Sequence, residues 1–182
     1  MFIQTEKTPN PNALIFLPGK EIMGSKAPVS YHQDQDVSKS PLAEVLFNIE
    51  GIEDVFFGKD FITINKKASV EWAVLKAPIL HSLNDYLSSG NPVVIEDDKE
   101  LDSDDNSDEI VDKIKQLIET RVRPAVAQDG GDIIFHSFKN GIVYLEMFGA
   151  CSGCPSSTMT LKNGIESMLR HYIPEVHRVE SI

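Results

Sequence analysis

The chain has 182 residues, 41% hydrophobic and 25% charged, enough for one large domain or two small ones with a sizeable apolar core. Its formal charge is −11 and no basic face stands out, which argues against nucleic acid or an anionic membrane as partner. No apolar run approaches the ~20 residues that a bilayer crossing needs, and two cysteines in all do not make a secreted disulfide scaffold.

Taken in order, Phe2 to Thr5 and Ala13 to Leu17 read as short strands. Between them, Thr8-Pro9-Asn10-Pro11-Asn12 carries two prolines with fixed φ and reads as a rigid turn. The start is strand-like and turns polar at once, unlike a signal or transit peptide, so a reducing cytoplasm is expected. Residues 20–40 read as a polar loop with His32 exposed. Ser40 is placed to cap a helix that has Pro41 in its first turn and Leu42, Val45 and Leu46 on its apolar face, and Gly51 closes it. Val55-Phe56-Phe57 and Phe61 to Ile64 form a hairpin around Gly58-Lys59-Asp60, with the paired aromatics in the core. Trp72 and Leu75 fall in a short turn. Pro78 opens the next helix, which carries Ile79, Leu80, Leu83 and Leu87 on one stripe and a solvated His81.

Glu96 to Asp108 is acidic, nearly free of apolar side chains and self-repelling, so an extended tether is expected there. It lacks the glycine and the distal glutamate of a calcium loop. The division that follows is a domain over 1–90, an acidic flexible linker over 91–107 and a second domain over 108–182.

The second domain opens with Ser107 or Asp108 as N-cap and the helical stripe Ile110, Ile114, Leu117, Ile118 and Val122. Arg121 and Arg123 fall at its C-terminal end, where the helix dipole favours cations, and Pro124 then perturbs the chain. Asp129-Gly130-Gly131-Asp132 is a turn whose two glycines permit positive φ. Ile133 to Phe138 and Ile142 to Phe148 are strands joined at Asn140-Gly141, a strong hairpin signal. Both cysteines follow, in Gly149-Ala150-Cys151-Ser152-Gly153-Cys154-Pro155. Met159, Leu161, Ile165, Met168 and Leu169 then stripe a helix, and Val176 to Val179 closes the sheet. The fold class is α+β: two small domains, each a short, mostly antiparallel sheet packed with helices.

Cys151 and Cys154 sit where a strand ends and a helix begins, a position whose free N–H groups and dipole favour thiolate over thiol. Their spacing fits half a metal site, a redox dithiol, or two small buried hydrophobes. As metal ligands they leave a tetrahedral zinc or an iron–sulfur cluster half-ligated, and none of the five histidines is spaced to help. The simplest completion is two chains, each giving Cys151 and Cys154 across a two-fold axis. A group shared in that way lies at a subunit edge and is easily surrendered, which suits a carrier. A dithiol–disulfide oxidoreductase is the alternative, but a thioredoxin-like fold calls for a βαβ start and more sheet after the motif.

Residues 108–182 resemble the C-terminal NifU-type domain of the Nfu iron–sulfur proteins. The likeness rests on Arg123-Pro124, Asp129-Gly130-Gly131-Asp132, Leu145, Gly149 to Ser157 and Thr158-Met159-Thr160-Leu161. Residues 1–88 resemble the Nfu N-terminal domain through Thr5-Glu6, Thr8 to Ala13, Leu17-Pro18-Gly19, Ser40 to Ala43 and Val55 to Gly58. The resemblance implies a scaffold or carrier, not an enzyme. It would hold a labile 4Fe-4S cluster between two chains through Cys151 and Cys154, dimerise on binding it, receive it from an upstream donor and pass it to apo iron–sulfur proteins. Asp129, Gly130, Gly131 and Asp132 would then shape the surrounding turn rather than ligate. The first domain would recognise partners or modulate stability. The two-domain arrangement implies a bacterial, cytoplasmic protein.

Overall fold

The computed structural model describes residues 2–95, 109–152 and 155–182, the side chains of residues 155–157 excepted. The acidic stretch Glu96 to Asp108, with the expected tether and N-cap, lies outside the described residues, as do Gly153 and Cys154. The chain divides into two compact units, each α+β as expected.

The first unit is a five-stranded antiparallel sheet of β1 (Gln4–Lys7), β2 (Ala13–Leu17), β3 (Val29–His32), β4 (Ile52–Phe57) and β5 (Ile62–Lys66), in the order β1-β2-β5-β4-β3. Helices α1 (Pro41–Phe47) and α2 (Trp72–Ser88) complete it. The register sets Val55 opposite Ile64 and Phe57 opposite Ile62. Those four join Leu14, Phe16, Leu42, Leu46, Leu75, Ile79 and Leu83 in one buried cluster. Ser40 caps α1 as expected: its Oγ accepts from the Ala43 N–H at 3.2 Å. The same hydroxyl donates to the Val93 carbonyl at 2.7 Å, and the Ile95 N–H donates to the Lys39 carbonyl at 2.7 Å. The segment from Val93 to Ile95 is therefore held against this unit.

Three readings change here. Trp72 and Leu75 belong to α2 itself, which runs through Pro78 without a new start. Pro78 lies on the exposed side, where the carbonyl it leaves unbonded can take water. β1 begins two residues later than expected. Residues 29–32, expected in a loop, form an edge strand on β4. His32 is its last residue, with Nε2 3.7 Å from Asp54 Oδ1, not a free loop side chain.

The second unit begins with one continuous helical stretch in three parts: α3 (Glu109–Leu117), a π-helical turn (Ile118–Val122) and α4 (Arg123–Gln128). A three-stranded sheet follows, β6 (Gly131–Lys139), β7 (Ile142–Gly149) and β8 (Arg178–Ser181), in the order β6-β7-β8. β6 and β7 are antiparallel, while β8 runs parallel to β7 because α5 (Pro155–Tyr172) crosses between them. Asn140 and Gly141 both take positive φ, 53° and 77°, the geometry of a tight two-residue hairpin loop. Ile114, Ile118 and Val122 meet Ile133, Val143, Leu145, Ile165, Leu169 and Val179 in the core.

Candidate functional site

Ala150, Cys151 and Ser152 follow β7, and local bonds fix their backbone. Gly149, at φ 66°, turns the chain out of β7. Its carbonyl accepts from the Ser152 N–H at 3.2 Å and the Ser152 hydroxyl at 2.8 Å. In the turn just before β6, Gly130 takes φ 78° and its carbonyl accepts from the Ala150 N–H at 3.1 Å. Thr158, in the first turns of α5, donates from its hydroxyl to the Cys151 carbonyl at 3.1 Å. Residues 150–152 are thus tied to β7, to the turn before β6 and to α5.

Cys151 is a free thiol, buried at 6% exposure. Gly131 forms its floor. A Cβ on Gly131 would overlap Cys151 Sγ and lie 2.8 Å from the Phe148 carbonyl oxygen. The two glycines of the expected turn therefore do different work. Gly130 supplies positive φ, whereas Gly131 leaves room for sulfur.

Burial, then the charges of Asp129 and Asp132, push the Cys151 thiol up to about 12. Burial and these two carboxylates work against the thiolate expected at this strand–helix junction. The dipole of a helix that starts at Pro155 does not outweigh desolvation and two nearby carboxylates.

Asp132 is itself buried, 5% exposed, and fully engaged. Arg123 grips it with two parallel bonds, Nε to Oδ1 and Nη2 to Oδ2, both 2.9 Å. Oδ1 also accepts from the Ile133 N–H at 2.8 Å. The third face of the guanidinium, Nη1, donates to Glu119 Oε2 at 2.6 Å. Arg123 was expected to be a cation answering a helix dipole; it is instead a bidentate partner of the strand that floors Cys151. Arg121 lies over the Tyr172 ring, its Cζ 5.2 Å from the centroid. Among the described residues, no group of three or more His, Cys, Asp or Glu side chains is gathered as a metal cage. No helix among them is long and apolar enough to cross a membrane.

Fold and site define a class: a two-domain α+β protein whose second domain presents a cysteine loop at a strand–helix junction. Two family models match the chain. Residues 3–90 match the N-terminal domain of scaffold protein Nfu/NifU, and residues 114–180 match the NifU-like domain. The chain belongs to the Nfu family of iron–sulfur cluster scaffold proteins. It is similar along its whole length to the mitochondrial NFU1 iron-sulfur cluster scaffold homologs of Drosophila persimilis and Drosophila virilis, at 48% identity to each. It spans 65% and 62% of the length of those two relatives. A NifU-like protein from Saccharomyces cerevisiae, known from a solution structure, aligns over 53% of this chain and 87% of its own at 32% identity, with a TM-score of 0.48. The expected bacterial cytoplasm is contradicted: the Drosophila relatives are named as mitochondrial proteins.

Proposed function

We propose that this chain assembles or holds an iron–sulfur cluster as cargo and delivers it to apo-proteins without catalysing a reaction. Cys151 and Cys154 supply two thiolates, and the same pair from a second copy supplies the other two. The cluster carried between the copies is 4Fe-4S. The carrying observation is the pairing of two facts. Cys151 stands on a tied loop at a strand–helix junction, with the only other cysteine three residues on. The described residues gather no further ligand set that would complete a site within one chain. Four protein ligands are the norm for such clusters, so sharing between copies follows from the count.

Binding replaces the Cys151 proton with metal, so uptake releases protons. A thiol–disulfide enzyme needs an accessible thiolate as attacking group; a buried Cys151 thiol near 12 does not favour that reading. Membership of a scaffold family supports the carrier. The upstream donor and the apo-protein clients are part of the proposal, as is the role of the first domain in engaging them.

The test is anaerobic reconstitution of the full chain with iron and sulfide, beside Cys151→Ala and Cys154→Ala. The wild type is expected to gain a visible sulfide-to-iron absorption band, and each variant to lose it while keeping a wild-type circular dichroism spectrum. A single-cysteine variant that reconstitutes as fully as the wild type refutes the ligand assignment.

A further inference from the structure

We infer that Arg123 and Asp132 form a positioning pair that holds the Cys151 thiol in place and thereby sets how long the protein retains a cluster. The inference rests on the proposed carrier function, and it concerns residues that do not themselves touch the cargo.

The geometry runs from the helix to the sulfur. An α-helical residue at 123 would bond to the carbonyl four back. Here the Arg123 N–H donates to the Ile118 carbonyl, five back, which closes the π-turn. One extra residue in the turn rotates everything after it by roughly 100° relative to α3. With the turn so placed, the Arg123 side chain reaches Asp132 on β6. It also suits Pro124, whose ring would otherwise press on the carbonyl of Thr120. Single π-turns inside helices are often found at functional sites.

The guanidinium then fixes Asp132 through a fork, and Asp132 fixes the start of β6 through the Ile133 N–H. Gly131 is the preceding residue and lies directly against Cys151 Sγ. The chain of contacts from the π-turn to the thiol is therefore continuous: Arg123, Asp132, Gly131, Cys151. A lysine at 123 would keep the charge but lose the fork. Glu119 is bound to the same guanidinium but is exposed and stands outside this chain of contacts.

Groups that orient a ligand from behind typically change metal affinity by 10–100-fold when removed. The experiment uses the full chain with Asp132→Asn, Arg123→Lys and, as control, Glu119→Gln. Alkylation of Cys151 is timed in a Cys154→Ser background, and loss of the visible band to an iron chelator is timed after anaerobic reconstitution. Thermal melts run beside both. Asp132→Asn is expected to speed alkylation about tenfold and cluster loss by about 10–100-fold. Arg123→Lys should fall between it and the wild type, and Glu119→Gln should match the wild type.

A folded Asp132→Asn or Arg123→Lys protein that keeps its cluster as long as the wild type overturns the inference. So does an equal effect from Glu119→Gln. If the wild type takes up no cluster, the proposed function has failed. The alkylation rate of Arg123→Lys, which leaves the Asp132 charge in place, then still decides the positioning role: faster labelling supports it, and unchanged labelling overturns it.

Discussion

Substituting Gly131 by alanine isolates the contact on which the site is built. Gly131 lies in a strand at a φ that any residue adopts, so alanine brings no backbone strain. On entropy alone it should stabilise by about 0.4–1 kcal/mol. The added Cβ would overlap Cys151 Sγ and stand 2.8 Å from the Phe148 oxygen and 3.1 Å from Cys151 Cβ. Two of these neighbours are backbone oxygen and a side-chain root, which cannot swing aside. Overpacking of this kind costs about 1–3 kcal/mol, so the clash exceeds the entropic gain and the net loss is about 1–2 kcal/mol. The assay is urea unfolding of the full chain followed in two ways. The single tryptophan, Trp72, lies in the first unit, so its fluorescence follows the unfolding of that unit. Far-ultraviolet circular dichroism reports both units. The loss should appear in the circular dichroism transition and leave the Trp72 transition unmoved. A Gly131→Ala protein as stable as the wild type, with Cys151 no more reactive, would refute the close packing of sulfur on this glycine.

Gly164 gives the opposite sign: it sits inside α5 with nothing within 4 Å of an added Cβ, so Gly164→Ala should stabilise the second unit by about 1 kcal/mol in the same urea assay. Ser40→Ala removes both the α1 cap and the bond to Val93, and should lower the Trp72-detected stability of the first unit by about 1–2 kcal/mol. Burial raises the Asp54 pKa above the usual carboxylate value, against the opposing hydrogen bond from Asn65. The fold therefore favours the protonated carboxyl, and the contribution of Asp54 to stability is greatest below its unfolded pKa and is lost as pH rises through the folded one. Asp54→Asn should consequently raise the melting temperature of the first unit at pH 7 and flatten its pH dependence from the usual aspartate range upward. An unchanged pH profile would count against that assignment.

Some of this architecture was legible from residue types alone. Asn140-Gly141 announced a hairpin because two consecutive positive φ values demand such residues. Ser40-Pro41 announced the start of α1, and the approach of β7 to Cys151 was clear from the apolar run Ile142 to Phe148. β3 escaped notice although Val29 and Tyr31, which pack on the core, alternate with Ser30 and His32: four residues inside a long polar stretch are too short a run for a two-residue period to stand out. Pro78 misled in the other direction: it marks a helix start by preference, but an exposed helix face tolerates it. In the site, the position of Cys151 was readable and its surroundings were not. The Arg123–Asp132 fork joins residues nine apart through a π-turn that no residue pattern signals. Gly130 and Gly131 look equivalent in sequence, although one is required by φ and the other by a sulfur atom from a distant strand end. The raised Cys151 pKa likewise depends on burial and on two carboxylates, quantities that exist only once the chain is folded.

The most direct test of the central claim is the native mass of the anaerobically reconstituted full chain, with iron and sulfide determined on the same sample. The expected species is a dimer that carries about four iron and four sulfide per pair of chains, lost on passage to an apo-protein acceptor as the acceptor gains the visible band. A monomer that retains a full cluster, or a dimer that forms without iron and yields none to an acceptor, would contradict it.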